Sequence, residues 1–252
     1  MSSNETNCVE TNCTETNSTE INGIKKPLKI AITGVSRGLG KMLSYALVAK
    51  GYQVFGCTPS ADMASETPDG FVLIEASVTE PDEMKKFAAR ANAGQAVDIV
   101  IANAGVIHER LPAWEIAIKE WARVMDVNLL GVVNTAQAFL PAMLERNEGV
   151  FIAISSGWGR SPSWGLGPYC ASKFAVEGMV GSLNDDLPVG VRAVALDPGN
   201  GINTQMLSVC LPDEHQNYIS PKEWAEYASD YIINEIYQGD VAGSATVPHP
   251  GL

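Results

Sequence analysis

From residue 27 onward the chain alternates short apolar runs with longer stretches in which apolar residues recur every three to four positions. The runs at 28–33, 53–57, 71–75, 97–102, 149–155, 191–196 and 244–247 read as strands. Between them, 39–50, 81–93, 114–144, 168–184 and 221–237 carry helical spacing. Strands that are apolar nearly throughout, rather than at alternate positions, are buried on both faces. Separated by helices, they predict an α/β fold, a doubly wound parallel sheet of about seven strands in a single domain over 27–252.

The first 26 residues follow another rule. They repeat with a five-residue period, from Glu5-Thr6-Asn7-Cys8-Val9 through a degenerate Glu20-Ile21-Asn22-Gly23-Ile24. So polar a segment has little to bury and predicts a disordered low-complexity tail. Asn4, Asn12 and Asn17 open N-x-S/T triplets, but no basic region followed by an apolar stretch marks a secretory signal, so the triplets read as part of the repeat. The repeat carries four of the glutamates behind a net charge of -12, which leaves the rest of the chain at -8.

An acidic domain disfavours polyanionic partners, so nucleic acid is not expected. No apolar run reaches the ~18 residues of a membrane span, which predicts no membrane partner and a soluble cytoplasmic protein. Cys8, Cys13, Cys57, Cys170 and Cys210 form no C-x-x-C pair and have no histidine at ligand spacing. Reduced thiols, no disulfide and no metal follow. His108, His215 and His249 are scattered and read as surface or loop residues.

The first strand runs into Thr33-Gly34-Val35-Ser36-Arg37-Gly38-Leu39-Gly40 and then a helix. Gly34 permits a tight turn, Gly38 lets backbone approach a pyrophosphate, and Gly40 lets the helix pack closely, while the helix N-terminus offers amide donors to an anion. Strand, glycine turn and helix in that order point to a dinucleotide-binding domain of Rossmann type.

Farther on, Tyr169-Cys170-Ala171-Ser172-Lys173 places a phenol and an ammonium on one face of a helix. A cation beside a phenol favours phenolate and suits a group that gives and takes a proton. Ser156 lies thirteen residues earlier at the end of the fifth strand, on the edge where open α/β sheets bind ligands. Asn103, in Ala102-Asn103-Ala104-Gly105, ends the fourth strand at the same edge, and Asn128 follows in Asp126-Val127-Asn128-Leu129.

Taken together, the G-x-x-x-G-x-G loop, the N-A-G element, Asn128, Ser156 and the Tyr169/Lys173 pair resemble the short-chain dehydrogenase/reductase family over residues 27–247. The resemblance implies an NADP-dependent oxidoreductase that transfers hydride between nicotinamide and a small-molecule carbonyl or alcohol. It makes Tyr169 the proton donor, Ser156 the hydrogen-bond donor to the substrate oxygen and Lys173 the holder of the nicotinamide ribose, and has Asn128 position a water behind Lys173. Gly34, Ser36, Arg37, Gly38, Leu39 and Gly40 would hold the pyrophosphate end, with Thr58, Ser77, Val78, Asn103, Ala104 and Gly105 along the adenosine. Pro198, Gly199, Ile202 and Thr204 would meet the carboxamide, although Thr204 stands six residues after Pro198 where relatives have five.

NADP is favoured over NAD because the second strand ends Gly56-Cys57-Thr58-Pro59-Ser60 without a carboxylate, and Arg37 matches a basic residue that relatives place against the 2′-phosphate. The stretches around Ser156-Gly157-Trp158-Gly159-Arg160 and Tyr169–Lys173 are similar to those of family members that reduce pterin aldehydes with NADPH. That similarity makes Trp158 a stacking surface for a planar ring. Alternatives are a 3-oxoacyl, sugar or steroid reductase on the same scaffold, or a non-catalytic NADP(H)-binding regulator. The family also implies a homodimer or homotetramer through the helices at 114–144 and 168–184.

Overall fold

The computed structural model describes residues 27–60 and 67–249, so the expected tail over 1–26, with Cys8 and Cys13, lies outside the described residues. Seven strands form one sheet: β1 (Lys29–Thr33), β2 (Gln53–Thr58), β3 (Phe71–Glu75), β4 (Ile99–Ala102), β5 (Gly149–Ile154), β6 (Val191–Asp197) and β7 (Gly243–Thr246). Their order is β3-β2-β1-β4-β5-β6-β7, and every pairing is parallel. The expected doubly wound sheet is therefore the observed one.

Two layers of helices cover it. On one face α2 (Pro81–Ala91), α4 (Gly131–Arg146) and α5 (Gly167–Asp186) bury Met84, Phe87, Phe139, Met143, Val176 and Val180. On the other, α1 (Gly38–Ala49) and α7 (Pro221–Tyr231) bury Leu43, Leu47, Trp224 and Ala228. The central strands β1, β4 and β5 lie between these layers and are buried along their whole length, which is why they read as continuous apolar runs.

The sequence pattern missed some details. The helix expected over 114–144 begins at α3 (Ile118–Met125) and passes through a π-helical turn, Asp126–Leu130, before continuing as α4. Apolar periodicity does not distinguish such a turn from α-helix, because one wide turn barely moves the buried face. The continuous helix, Ile118–Arg146, is long and apolar enough to cross a membrane by length and composition alone. Its apolar side is spent on the core, through Val132, Ala136, Phe139 and Met143. A short α6 (Gln205–Cys210) went unpredicted because six residues carry too little periodicity to read.

The sheet order reverses direction between β1 and β4, so the loops leaving their carboxyl ends diverge and open a crevice. The glycine loop, Asn103, Ser156, the Tyr169/Lys173 pair and the segment at 198–204 all lead to that edge.

Candidate active site

Backbone geometry builds the β1–α1 side of the crevice. Gly34 has φ +71°, and a Cβ there would come within 2.7 Å of the Ala104 Cα. Gly38 also has positive φ, +57°. A Cβ at Gly40 would collide with the Gly34 carbonyl and the Asn103 amide. Asn103 ties the loop down: its Nδ2 donates to the Thr33 carbonyl at 2.8 Å and the Gly34 carbonyl at 3.1 Å, while Thr33 Oγ1 accepts from the Asn103 and Ala104 amides at 3.0 Å each. Helix α1 starts at Gly38 without a side-chain cap, which leaves its first amides to meet an anion.

Thr58 is buried at the end of β2, and the Arg37 guanidinium donates to Gln205 Oε1 at 2.8 Å across the crevice. Ser77 opens the turn before α2, its amide donating to Glu83 at 2.8 Å. Val78 is fixed by close packing against Gly131 and by Asn134, whose Nδ2 donates to the Val78 carbonyl at 2.9 Å.

Buried polar side chains build the β5–α5 side. Tyr169 and Lys173 lie one turn apart on α5, both buried. The Ser156 side chain faces the Tyr169 hydroxyl and favours its ionised form. Ser156 Oγ also accepts from the Trp158 amide at 3.2 Å. Lys173 Nζ donates to the Ile154 carbonyl at 2.7 Å and stands 5.7 Å from the Tyr169 ring centroid. The Trp158 indole meets Tyr169 edge-on at 6.0 Å, and the Arg110 guanidinium lies 5.5 Å from the indole centroid.

Burial governs the titration of the pair. It pushes the Tyr169 phenol above its ordinary value; the Ser156 hydrogen bond opposes this, while Cys210, Asp197 and Cys170 add to it. Burial also brings Lys173 down to about 8, against a raising influence from Glu177. The expected lowering of Tyr169 by Lys173 is therefore not what the structure shows; burial sets the direction. A phenol held protonated suits a proton donor, the role required in carbonyl reduction.

The two sides enclose one cavity of about 730 Å³. It is lined by Gly34, Ser36, Arg37, Gly38, Leu39 and Gly40 at one end and by Ser156, Trp158, Tyr169 and Lys173 at the other. Thr58, Ser77, Val78, Asn103, Ala104, Gly105, Pro198, Gly199, Ile202 and Thr204 lie along it as well. Asn128 does not reach it. Its side chain is buried, accepting from the Val106 amide at 2.8 Å and donating to the Val106 carbonyl at 2.9 Å and to Ser172 Oγ at 3.1 Å. Ser172 links it to the start of α5, since Ser172 Oγ donates in turn to the Tyr169 carbonyl at 2.7 Å.

Just before α6 the chain turns tightly, the Thr204 amide donating to the Ile202 carbonyl at 2.7 Å. A bridge between Ile202 and Ile219 closes the segment's two ends. Thr204 Oγ1 becomes the N-cap of α6, accepting from the Leu207 amide at 3.1 Å. Gly199, at φ +94°, presses against the Val247 carbonyl.

Sequence reading missed four side chains at the chemical end. Asp197 at the end of β6 lines the cavity, and burial raises its pKa. Glu177 and Arg160 pair at 3.0 Å just behind Lys173. Arg110 binds the Cys210 carbonyl at 2.9 Å and the Trp164 carbonyl at 2.6 Å. Only Glu177 carried a signal, since it follows Lys173 by the same four residues that separate Lys173 from Tyr169. The free thiols of Cys57 and Cys210 are pushed up to about 12 and about 11, the range of inert buried cysteines.

Known proteins share this architecture. A family model described as short chain dehydrogenase matches residues 29–215. The chain is 37% identical over 227 residues to an NADPH-dependent pterin aldehyde reductase of Arabidopsis thaliana, covering 86% of this chain and 92% of that one. Among solved structures, a 3-ketoacyl-(acyl-carrier-protein) reductase from Brucella melitensis complexed with NADH superposes with a TM-score of 0.77 at 23% identity, covering 87% and 96% of the two chains. An alcohol dehydrogenase from Thermococcus sibiricus complexed with 5-hydroxy-NADP gives 0.74 at 24% identity, covering 89% and 100%.

Proposed function

We infer that this chain, which belongs to the short-chain dehydrogenase family and is thereby an oxidoreductase of carbonyl and alcohol groups, reduces a compact planar aldehyde of the pterin class with NADPH. The observation that carries this reading is the single cavity with an anion-ready helix start at one end and the Ser156/Tyr169/Lys173 cluster at the other.

The walls fit the cofactor. Amides at the start of α1 and the Gly34–Gly40 loop would hold the pyrophosphate, and Arg37 with Thr58 would hold a 2′-phosphate where no carboxylate repels it. Ser77, Val78 and Asn103–Gly105 would border the adenosine, and Pro198, Gly199, Ile202 and Thr204 the carboxamide. When bound, the nicotinamide supplies hydride to the carbonyl carbon.

The chain's own residues manage the proton. Tyr169, kept protonated by burial, donates its proton to the carbonyl oxygen as negative charge gathers there. Ser156 donates a hydrogen bond to the same oxygen. Lys173 would hold the nicotinamide ribose and offset charge left on the Tyr169 oxygen. Asn128 positions the start of α5 through Ser172. Trp158, in the cavity wall beside Tyr169, provides a face for a planar ring.

A 3-oxoacyl group delivered on an acidic carrier would meet an acidic chain, which favours the small aldehyde. The same reading makes the protein a cytoplasmic homodimer or homotetramer without nucleic-acid or membrane partners, built as one domain over 27–252. Leu130 and Leu144, on the π turn and α4, and Phe174 on α5 are exposed where such an assembly would form.

NADPH oxidation measured against pterin aldehydes, aliphatic aldehydes, 3-oxoacyl thioesters, sugars and steroids tests the proposal. Turnover is expected to be highest with the pterin aldehyde. Tight NADPH binding with no turnover of any carbonyl would mark a non-catalytic regulator and overturn it.

A further inference from the structure

Glu177 continues the series begun by Tyr169 and Lys173: positions 169, 173 and 177 fall on one face of α5, each a turn below the last. Its side chain is only 14% exposed, and a carboxylate that far from water needs donors. Three elements supply them. Glu177 Oε1 accepts from Ser155 Oγ at 2.5 Å and from Arg160 Nε at 3.0 Å, and Oε2 accepts from Ser244 Oγ at 2.7 Å. Arg160 extends the network by donating to Thr246 Oγ1 and the Ala245 carbonyl, both at 2.7 Å, and stands 3.8 Å from Asp197 Oδ2.

Ser155 is the residue before Ser156. The backbone there is extended, with Ser156 at φ -170° and ψ 155°, so the two side chains point to opposite sides. The bond to Glu177 pins Ser155 in place, and with it the backbone from which Ser156 projects to the other side. Arg160 closes the turn that carries Trp158, and the same carboxylate holds it.

We propose that Glu177 is a positioning residue of the site, which orients Ser156 through Ser155 and supplies the negative charge that keeps Lys173 an ammonium. The charged and titratable groups around Lys173 are few. Tyr169 and Glu177 share its helix, the Ile154 carbonyl faces it from β5, Arg160 belongs to the turn after β5, and Asp197 closes β6. Arg160 is balanced by both Glu177 and Asp197. Cys170 and Cys210 adjoin Tyr169. Burial already brings Lys173 down to about 8, and Glu177 is the group that opposes it. With Glu177 neutral, Lys173 loses its proton at lower pH.

The inference rests on the reading of Lys173 as part of a reductase site, but one of its tests does not. In Glu177→Gln, which keeps shape and removes charge, the 13C resonance of the Lys173 side chain in the unliganded protein is expected to titrate about one pH unit lower than in the wild type. In carbonyl reduction, the alkaline limb of kcat/KM should move the same way, with roughly fivefold loss near pH 8 and less than about twofold loss near pH 6.5. Glu177→Asp keeps charge but falls short of Ser155, and Ser155→Ala removes the anchor alone. Both are expected to lower kcat several-fold with the pH profile unmoved and KM for NADPH unchanged.

An unchanged Lys173 titration in Glu177→Gln, or equal loss of rate at every pH, would overturn the electrostatic role. Full kcat in Ser155→Ala would overturn the orienting role, and this variant serves if Glu177→Gln fails to fold. A shifted titration in a protein that turns over no carbonyl would fault the reductase reading and leave this inference standing.

Discussion

Around the loop after β1, Gly34, Gly38 and Gly40 carry no side chain, the groups offered to a ligand are backbone amides, and a nearby cation, Arg37, is exposed and bonded to a neutral glutamine. Around the start of α5, the ligand would meet Tyr169 and Lys173, both buried, with Asp197, Arg160 and Glu177 beside them. The first region works by leaving space, and its cost is conformational. The second works by removing ionisable groups from water, and its cost is desolvation. Substitutions should therefore fail differently on the two sides: enlargement harms the first, whereas neutralisation harms function but not stability in the second.

The strongest test of this difference is Lys173→Met. Carbonyl reduction should fall by roughly 10²–10⁴-fold, the usual worth of proton-transfer assistance. The fold should become more stable. Depressing a lysine from 10.5 to about 8 on folding costs roughly 3 kcal/mol at neutral pH, partly returned by the bond to the Ile154 carbonyl, so a net gain of about 1–2 kcal/mol is expected. The unfolded chain holds the lysine proton between pH 8 and 10.5 while the folded one has released it, so wild-type stability rises with pH through that window. The advantage of the variant should shrink there, which thermal unfolding as a function of pH would show. A loss of stability at pH 7 would erase the contrast between the regions.

Next in size is Gly40→Val. Its new side chain meets the Gly34 carbonyl and the Asn103 amide, groups fixed by β1 and β4. A destabilisation of about 1–3 kcal/mol is expected, with NADPH affinity lowered roughly a hundredfold by displacement of the loop. Calorimetry and fluorescence titration of NADPH would measure both. Smaller still is Arg37→Ala, expected to weaken NADPH about tenfold while leaving NADH and the melting temperature nearly unchanged. Equal losses for the two cofactors would remove Arg37 from 2′-phosphate recognition.

The same division explains what could be read from the residues. Gly34, Gly38, Gly40, Asn103, Ser156, Tyr169 and Lys173 were legible because each sits beside a strand or helix boundary that the apolar pattern locates, and all of them line the one cavity. The sheet was legible because β1, β4 and β5 are buried on both faces. Contacts between distant segments were not. Glu177 meets Ser244 across 67 positions, and Arg110 meets Cys210 across 100, with no local pattern to announce either. Asn128 was found by its place in the chain, but the direction of its side chain depends on the π turn, which periodicity does not reveal. The direction of the Tyr169 shift was also hidden, because adjacency of a lysine is a sequence property and burial by Trp158, Cys170 and Cys210 is not.

The most direct test of the central claim, that Tyr169 delivers the proton in an NADPH-dependent carbonyl reduction, is single-turnover oxidation of NADPH by wild type and Tyr169→Phe with a pterin aldehyde. The expected result is NADPH affinity within about twofold of wild type and a rate lower by roughly 10²–10⁴-fold. A Tyr169→Phe protein that reduces the aldehyde within about tenfold of the wild-type rate would contradict it.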